Sequence, residues 1–440
     1  MTINLPKNVT KIIETLEAAG FEAYAVGGCV RDSILNKVPN DWDITTSATP
    51  QETKALFKRT FDTGIEHGTV SVLLDGEIYE VTTYRIDGKY EDSRHPSEVT
   101  FTANLKEDLL RRDFTINAMA YNPKSGLVDM YGGLEDIKER KIRCVGDPKS
   151  RFSEDALRIL RAIRFAAQLN YEIELKTAQA IEELAPTLSK ISAERIQVEL
   201  VKTLTSDHPE YLRKAYELKV TKVFLPEFDA MMETTQNNPH HMYTVGEHTL
   251  KVCMNVPATR MLRLAALFHD MGKPVMKTTD SNGVDHFKGH QDKGATMATE
   301  ILKRLKFDNE TIGHVSTLVR YHDERPETTK VAVRRSVNKI GEEYFPELFD
   351  LHRADLIGQS DYKREEKNEH LSKVIKIYEQ IVEDKECVSL KTLAVKGKDL
   401  IEANVQPGPG LGDILNRMLD AVLEDPSLNN KEELIKRFVD

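Results

Sequence analysis

The strongest constraint on this chain is a change of pattern near residue 150. Before it, strand and helix signals alternate. Ile12–Ala19 has helical spacing, Ala23–Val26 forms a short strand, and Val30–Leu35 opens a helix after two glycines. Thr69–Leu74 and Ile78–Arg85 alternate like adjacent strands around the turn signal Asp75-Gly76. From about Ser153 onward, Ala-, Leu- and Glu-rich helical spacing takes over, as in Asp155–Leu169 and Thr177–Leu188. At 440 residues the chain also needs more than one core. The pattern predicts an α/β head followed by an all-helical remainder. Asn237-Asn238-Pro239 and Pro407-Gly408-Pro409-Gly410 punctuate it as loops.

Several classes are excluded early. No apolar stretch approaches the ~18–20 residues of a membrane span. Met1–Ala18 reads as a short amphipathic helix with acidic residues, not as a signal peptide. Cys29, Cys144, Cys253 and Cys387 lie far apart without a Cys-x-x-Cys pair, which fits a reducing cytoplasm. The 61 Lys and Arg against 71 Asp and Glu give a net charge of −10 and argue against coating nucleic acid by bulk charge. A local basic groove is compatible with that sum. Lys138 to Arg164 contains nine basic residues against four acidic ones, where head passes into helical remainder.

Gly27-Gly28 stands between a strand and a helix start. Backbone N–H groups there can approach a phosphate, and Arg31 can pair with one as a bidentate donor. Asp41 and Asp43, two residues apart in a strand-like context, point to one face. Paired carboxylates are costly without a cation between them, and hard oxygen ligands suit Mg²⁺ with substrate phosphates. Glu80 is either a third carboxylate for that ion or ordinary surface alternation. Asp155, Arg158, Arg161 and Arg164 recur every three positions on a predicted helix. They read either as a base- and phosphate-binding row or as a salt-bridged face with an Asp155–Arg158 pair.

The order of these motifs resembles that of class II tRNA nucleotidyltransferases, the bacterial-type CCA-adding enzymes and their poly(A) polymerase relatives. The match runs from Gly27-Gly28-Cys29-Val30-Arg31-Asp32 through Asp41-Trp42-Asp43 and Arg111–Ala118 to Glu154-Asp155-Ala156-Leu157-Arg158. The resemblance implies an α+β fold: a polymerase-β-like head, a mixed sheet with helices, followed by all-helical neck, body and tail domains that hold a tRNA acceptor end. The implied reaction adds C, C and A from CTP and ATP without a template. Asp41 and Asp43 are then the catalytic Mg²⁺ carboxylates. Gly28, Arg31, Arg112, Arg161 and Arg164 serve nucleotide binding, and Asp155 with Arg158 reads the incoming base. The polar segment Arg85–Thr100 matches the loop that the family associates with the switch from C to A addition, which favours full CCA over A-only addition.

Nine of the 13 histidines fall between His240 and His352, and His269-Asp270 ends an apolar helix. Imidazoles and carboxylates on helices can hold a transition metal. This region resembles an HD phosphohydrolase domain. The resemblance assigns His248, His269, Asp270 and Asp355 to one metal, with His290 and His322 as extra ligands of two-metal versions and Mn²⁺ or Ni²⁺ as suitable ions. The expected organisation is a head at 1–145, neck and RNA-binding body at 146–236, HD domain at 237–365 and tail at 366–440. Expected partners are tRNA, CTP and ATP, with no membrane and no protein partner. The rival readings are an HD phosphohydrolase with a nucleotide-recognising head and a non-catalytic RNA binder.

Overall fold

The computed structural model describes residues 2–87 and 99–439. The chain forms two compact units, Met1–Pro226 and Glu227–Asp440. The first is built on a sheet whose strands are β1 (Ala23–Val26), β2 (Ile44–Thr46), β3 (Thr60–Gly64), β4 (Thr69–Leu74) and β5 (Glu77–Thr83). A separate ladder pairs β6 (Arg85–Asp87) with β7 (Val99–Phe101), and the main sheet resumes with β8 (Met119–Asn122) and β9 (Gly126–Asp129). Its spatial order is β3-β4-β5-β2-β1-β8-β9; β2 and β5 run parallel and the other neighbours antiparallel. It is the expected mixed sheet.

Alternation along the central strands covers both faces. Ala23, Ala25, Met119 and Tyr121 pack with Val9, Ile12, Ile13 and Leu16 of helix Lys7–Ala18. Val26 and Ala120 face Tyr84, Leu105 and Leu109 on the other side. Asp75 and Gly76 both have positive φ, the primed-turn signature of a tight hairpin joining β4 to β5.

The neck departs from the expected pattern in two places. Helix Pro148–Glu154 ends before Asp155, and the next helix begins only at Leu157. Asp155 is extended, at φ −141° and ψ 102°, and its Oδ1 accepts the Leu157 N–H at 3.0 Å. An aspartate that caps a backbone N–H locally competes with helix continuation. A short parallel ladder also joins β10 (Lys141–Ile142) to β11 (Glu172–Ile173). Helix Leu157–Leu169 is buried over most of its length and packs on Ala193–Leu204.

The second unit is helical apart from the small ladder of β12 (Thr278–Thr279) and β13 (Asp285–His286). Helices Val245–Asn255, Arg260–Phe268, His290–Arg304, Asn309–Tyr321 and Phe345–Gly358 pack together. A C-terminal cluster centred on Leu400, Met418, Val422 and Leu434 closes the unit. Among the described residues no helix is long and apolar enough to cross a membrane. Residues 88–98 of the loop expected at Arg85–Thr100 lie outside the described residues.

Candidate functional site

In the first unit, β1 runs into Gly27, whose φ of 84° and ψ of −131° suit only glycine. A Cβ there would lie 3.1 Å from Arg112 Nη1, whereas one at Gly28 would make only ordinary contact. The glycine demanded by the geometry is therefore Gly27, one residue before the one singled out from sequence. Asp41 and Asp43 lie on the extended lead-in to β2, not within it. The Val26 N–H donates to the Asp43 carbonyl at 3.0 Å and prolongs the β1–β2 pairing past Ile44. Solvent reaches Asp43, yet its carboxyl is raised to about 6. Burial by the surrounding protein is the main cause, and the charges of Asp41 and Glu80 add to it against the opposing field of Arg112. Glu80 thus acts on the carboxylate pair from β5. Arg112 is anchored by buried Asp108, which also accepts from Thr45 on β2. The Arg112 Nε is buried without a hydrogen-bond partner among the described residues.

The arginine row is locked differently from the helical expectation. Asp155 does not pair with Arg158: Arg195 donates to Asp155 at 2.7 Å, and Arg158 bonds Glu154 at 2.5 Å. The break before Leu157 takes Asp155 off the helix and removes the i,i+3 geometry. Arg161 donates twice to Asp113 Oδ2, at 2.6 and 2.8 Å, and Arg164 bonds Glu199 at 2.5 Å. Burial alone would raise the Asp113 carboxyl, but Arg161 and the Asn117 amide hold it down at about 2. Asn117 in turn accepts from Arg31 at 2.6 Å, while Arg31 also grips Asp32. Arg31, Arg161 and Arg164 surround the Phe165 ring at 5.2, 5.4 and 3.9 Å. The result is a pre-arranged cationic cluster beside a carboxylate pair, suited to a triphosphate. Sequence reading missed Phe165, Asn117, Glu199 and Arg195 as parts of this site. Their only signals were Asn117 inside the Arg111–Ala118 motif and the Arg195/Glu199 spacing on one helix face.

In the second unit, four histidines present the same ring edge inward. The Nδ1–H groups of His248, His269, His290 and His322 donate to the carbonyls of Gly358, Ala266, Phe287 and Val319, at 3.1, 2.7, 2.8 and 2.6 Å. With Nδ1 engaged by a carbonyl, each ring turns its Nε2 inward. A Cβ at Gly358 would sit 3.0 Å from His248 Nδ1, so glycine permits that approach. His248 and His269 bring Nε2 atoms within 3.3 Å, and His290 and His322 within 3.2 Å. Asp270 stands between the pairs. Its Oδ2 lies 3.3 Å from His269 and 3.6 Å from His248, and its Oδ1 3.4 Å from His290 and 3.6 Å from His322. Asp355 Oδ1 is 3.0 Å from His248. Despite burial, the Asp270 carboxyl is held well below the ordinary range by His269 and Lys273, and Asp355 is held low by His248. Converging Nε2 atoms around a bridging carboxylate fit two cations. The site opens into a cavity of about 730 Å³ with Lys273, Lys288, Arg325 and Lys367 in its lining. His286 and His314 are engaged elsewhere, with Asp280 and Glu347.

Residues 23–143 match the poly A polymerase head domain, and 170–232 the probable RNA- and SrmB-binding site of polymerase A. Residues 292–439 match tRNA nucleotidyltransferase domain 2. The CCA-adding enzyme of Levilactobacillus brevis is 38% identical over 98% of this chain and 96% of its own length. That of Lactiplantibacillus plantarum is 36% identical over 96% and 93%. The crystal structure of the Bacillus stearothermophilus CCA-adding enzyme in complex with CTP superposes with a TM-score of 0.71. It is 29% identical and covers 97% of this chain and 96% of that one. With such identity running from end to end, the chain belongs to the CCA-adding enzymes, the tRNA nucleotidyltransferases.

Proposed function

We propose that this chain completes tRNA 3′ ends with C, C and A from CTP and ATP, with Asp41 and Asp43 as its catalytic carboxylates. The observation that carries the assignment is the placement of Asp41 and Asp43 on the lead-in to β2, paired to the end of β1 just before Gly27, with Arg112 held beside them by buried Asp108. Carboxylates gathered this way are costly without a cation between them, and their hard oxygens suit Mg²⁺. Asp41 and Asp43 would hold Mg²⁺, which supplies positive charge against the triphosphate and the attacking 3′-oxygen. Arg31, Arg112, Arg161 and Arg164 take the phosphates around Phe165. Gly27 leaves room for Arg112 and for close backbone approach.

Base choice follows from donors and acceptors. Cytosine and adenine each present an amino donor beside a ring-nitrogen acceptor on the Watson–Crick edge; guanine and uracil present a carbonyl and an N–H there. Asp155 accepts and Arg158 donates, so the pair selects C and A. Arg195 and Glu154 hold the two side chains while the site waits. We place the enzyme in the reducing cytoplasm, which suits its four buried free cysteines. The test is incubation with tRNA lacking its 3′ terminus, with CTP alone, ATP alone and both, followed by sequencing of the ends. Complete CCA is expected only with both nucleotides, and A from ATP alone would reveal an A-only enzyme. Asp41→Asn with Asp43→Asn should abolish incorporation, and unchanged incorporation would refute the assignment.

The four aligned imidazoles favour a second activity, metal-dependent phosphoester hydrolysis in the Glu227–Asp440 unit. His248, His269, Asp270 and Asp355 would hold one transition ion and His290, His322 and Asp270 another. Such ions supply Lewis acidity toward a phosphoryl oxygen. Lys273, Lys288, Arg325 and Lys367 would take the remaining phosphate charge. Hydrolysis of bis-p-nitrophenyl phosphate with Mn²⁺ or Ni²⁺, lost in His248→Ala, tests this. Absence of bound metal and of turnover with Mn²⁺, Ni²⁺ and Mg²⁺ would refute it.

A further inference from the structure

The chain contains a second His-Asp dipeptide, His322-Asp323, and its carboxylate is placed much as Asp355 is. Asp355 Oδ1 faces His248 at 3.0 Å, while its Oδ2 accepts from Gln359 Nε2 at 2.7 Å and lies 3.7 Å from Arg325 Nη2. Asp323 Oδ2 lies 3.6 Å from His290 Nε2 and accepts from Gln291 Nε2 at 3.0 Å. Its Oδ1 lies 3.5 Å from the same Arg325 Nη2. Each outer carboxylate is thus steered by one glutamine and by the shared guanidinium. Each stands beside one histidine of a pair whose other side is closed by Asp270. Atoms sharing one ion at ~2.1 Å are separated by roughly 3.0–4.2 Å, a range that includes 3.6 Å. Asp323 also lines the cavity, so its carboxylate can turn toward the His290–His322 pair.

We propose that Asp323 is a ligand of the second cation, so that the unit offers two matching positions. One is made by His248, His269, Asp270 and Asp355, the other by His290, His322, Asp270 and Asp323. Charge supports the pairing. Two divalent ions held by Asp270 and Asp355 alone would leave uncompensated charge in a cavity already lined by Lys273, Lys288, Arg325 and Lys367, since, Asp323 apart, its other carboxylate, Asp285, is paired with Lys277. A third carboxylate reduces it. Arg325 lies against both outer carboxylates, and ions held by them would free it to meet a substrate phosphate.

The assignment rests on the phosphohydrolase reading above, and its test separates the two. The reference protein is the full chain carrying Asp41→Asn and Asp43→Asn, so that the head contributes no ion. Titrated with Mn²⁺, it should bind two ions and show the electron paramagnetic resonance of a coupled pair. Asp323→Asn, which keeps the shape, should weaken the second ion roughly 10- to 100-fold, the range for lost metal-site partners. It should leave the first ion and the thermal midpoint unchanged and replace the coupled signal by that of a single ion. Asp355→Asn should weaken the first ion instead. Two ions of unaltered affinity in Asp323→Asn, or only one in the reference protein, would overturn the role of Asp323. A reference protein that binds none would overturn the metal-centre reading itself.

Discussion

Asp113 is the residue on which the nucleotide site can be tested most quantitatively. Its side chain is 8% exposed and carries Arg161 on one oxygen and Asn117 on the other. Holding its carboxyl at about 2 instead of the ordinary 3.8 corresponds to about 2 kcal/mol of stabilisation. The sign follows from a lowered native value. The stabilisation is fully present above pH ~4 and is lost as pH falls through about 2. Asp113→Asn keeps the shape and removes the charge. It should therefore cost about 2 kcal/mol at neutral pH and about half that near pH 3, where the unfolded chain's Asp113 is mostly protonated. Trp42, the chain's single tryptophan, packs against the core beneath the β1–β2 strands. Its fluorescence during urea unfolding thus reports the first unit alone. The same substitution frees Arg161 and, through Asn117, loosens Arg31, so KM for both CTP and ATP should rise together. A stability loss equal at pH 7 and pH 3 would show that packing, not charge, holds Asp113, and would refute the reasoning.

Two further outcomes follow from the same contacts. Because Asp43 is raised to about 6, protons compete with Mg²⁺ as pH falls through that value. The Mg²⁺ concentration for half-maximal transfer should climb between pH 7 and 5.5, and a flat requirement would argue against Asp43 as a ligand. Arg195→Ala removes the clamp on Asp155 without touching nucleotide. The discrimination of CTP and ATP against UTP and GTP should fall in kcat/KM while single-turnover transfer of the cognate nucleotides persists. Unchanged discrimination would assign Arg195 to packing alone.

Local pattern revealed what local physics dictates. The β4–β5 hairpin was legible because Asp75-Gly76 accepts positive φ, and β1 because Ala23–Val26 precedes two glycines. The carboxylate pair and the histidine cluster stood out because their residue types are expensive to gather without a purpose. What stayed hidden depends on partners remote in sequence. Arg161 meets Asp113 across 48 positions, Arg195 meets Asp155 across 40 and Arg164 meets Glu199 across 35. No periodicity encodes those choices. Periodicity also misplaced Asp155: every third residue from 155 to 164 looks helical, yet an aspartate free to cap Leu157 ends the regularity.

The basic stretch from Lys138 to Arg164 takes on a different meaning once its partners are known. Glu135, Asp136, Glu174, Glu183, Glu199 and Asp113, all from outside the stretch, pair with Lys138, Arg143, Lys149, Arg164 and Arg161. Glu139 and Glu154 take Lys141, Arg151 and Arg158. Eight of the nine cations are thus already matched by a carboxylate, so the stretch is not an open basic groove. Its arginines are positioned groups that exchange one anion for another when phosphate arrives. That exchange releases fewer condensed counterions than nine free cations meeting RNA. Nine free contacts would give a slope of log K against log[salt] of about −6 to −8, whereas matched cations should hold it nearer −3. Filter binding of tRNA between 50 and 200 mM KCl measures it directly. A slope as steep as the free-cation value would refute the matched-cation reading and show that affinity comes from bulk charge after all.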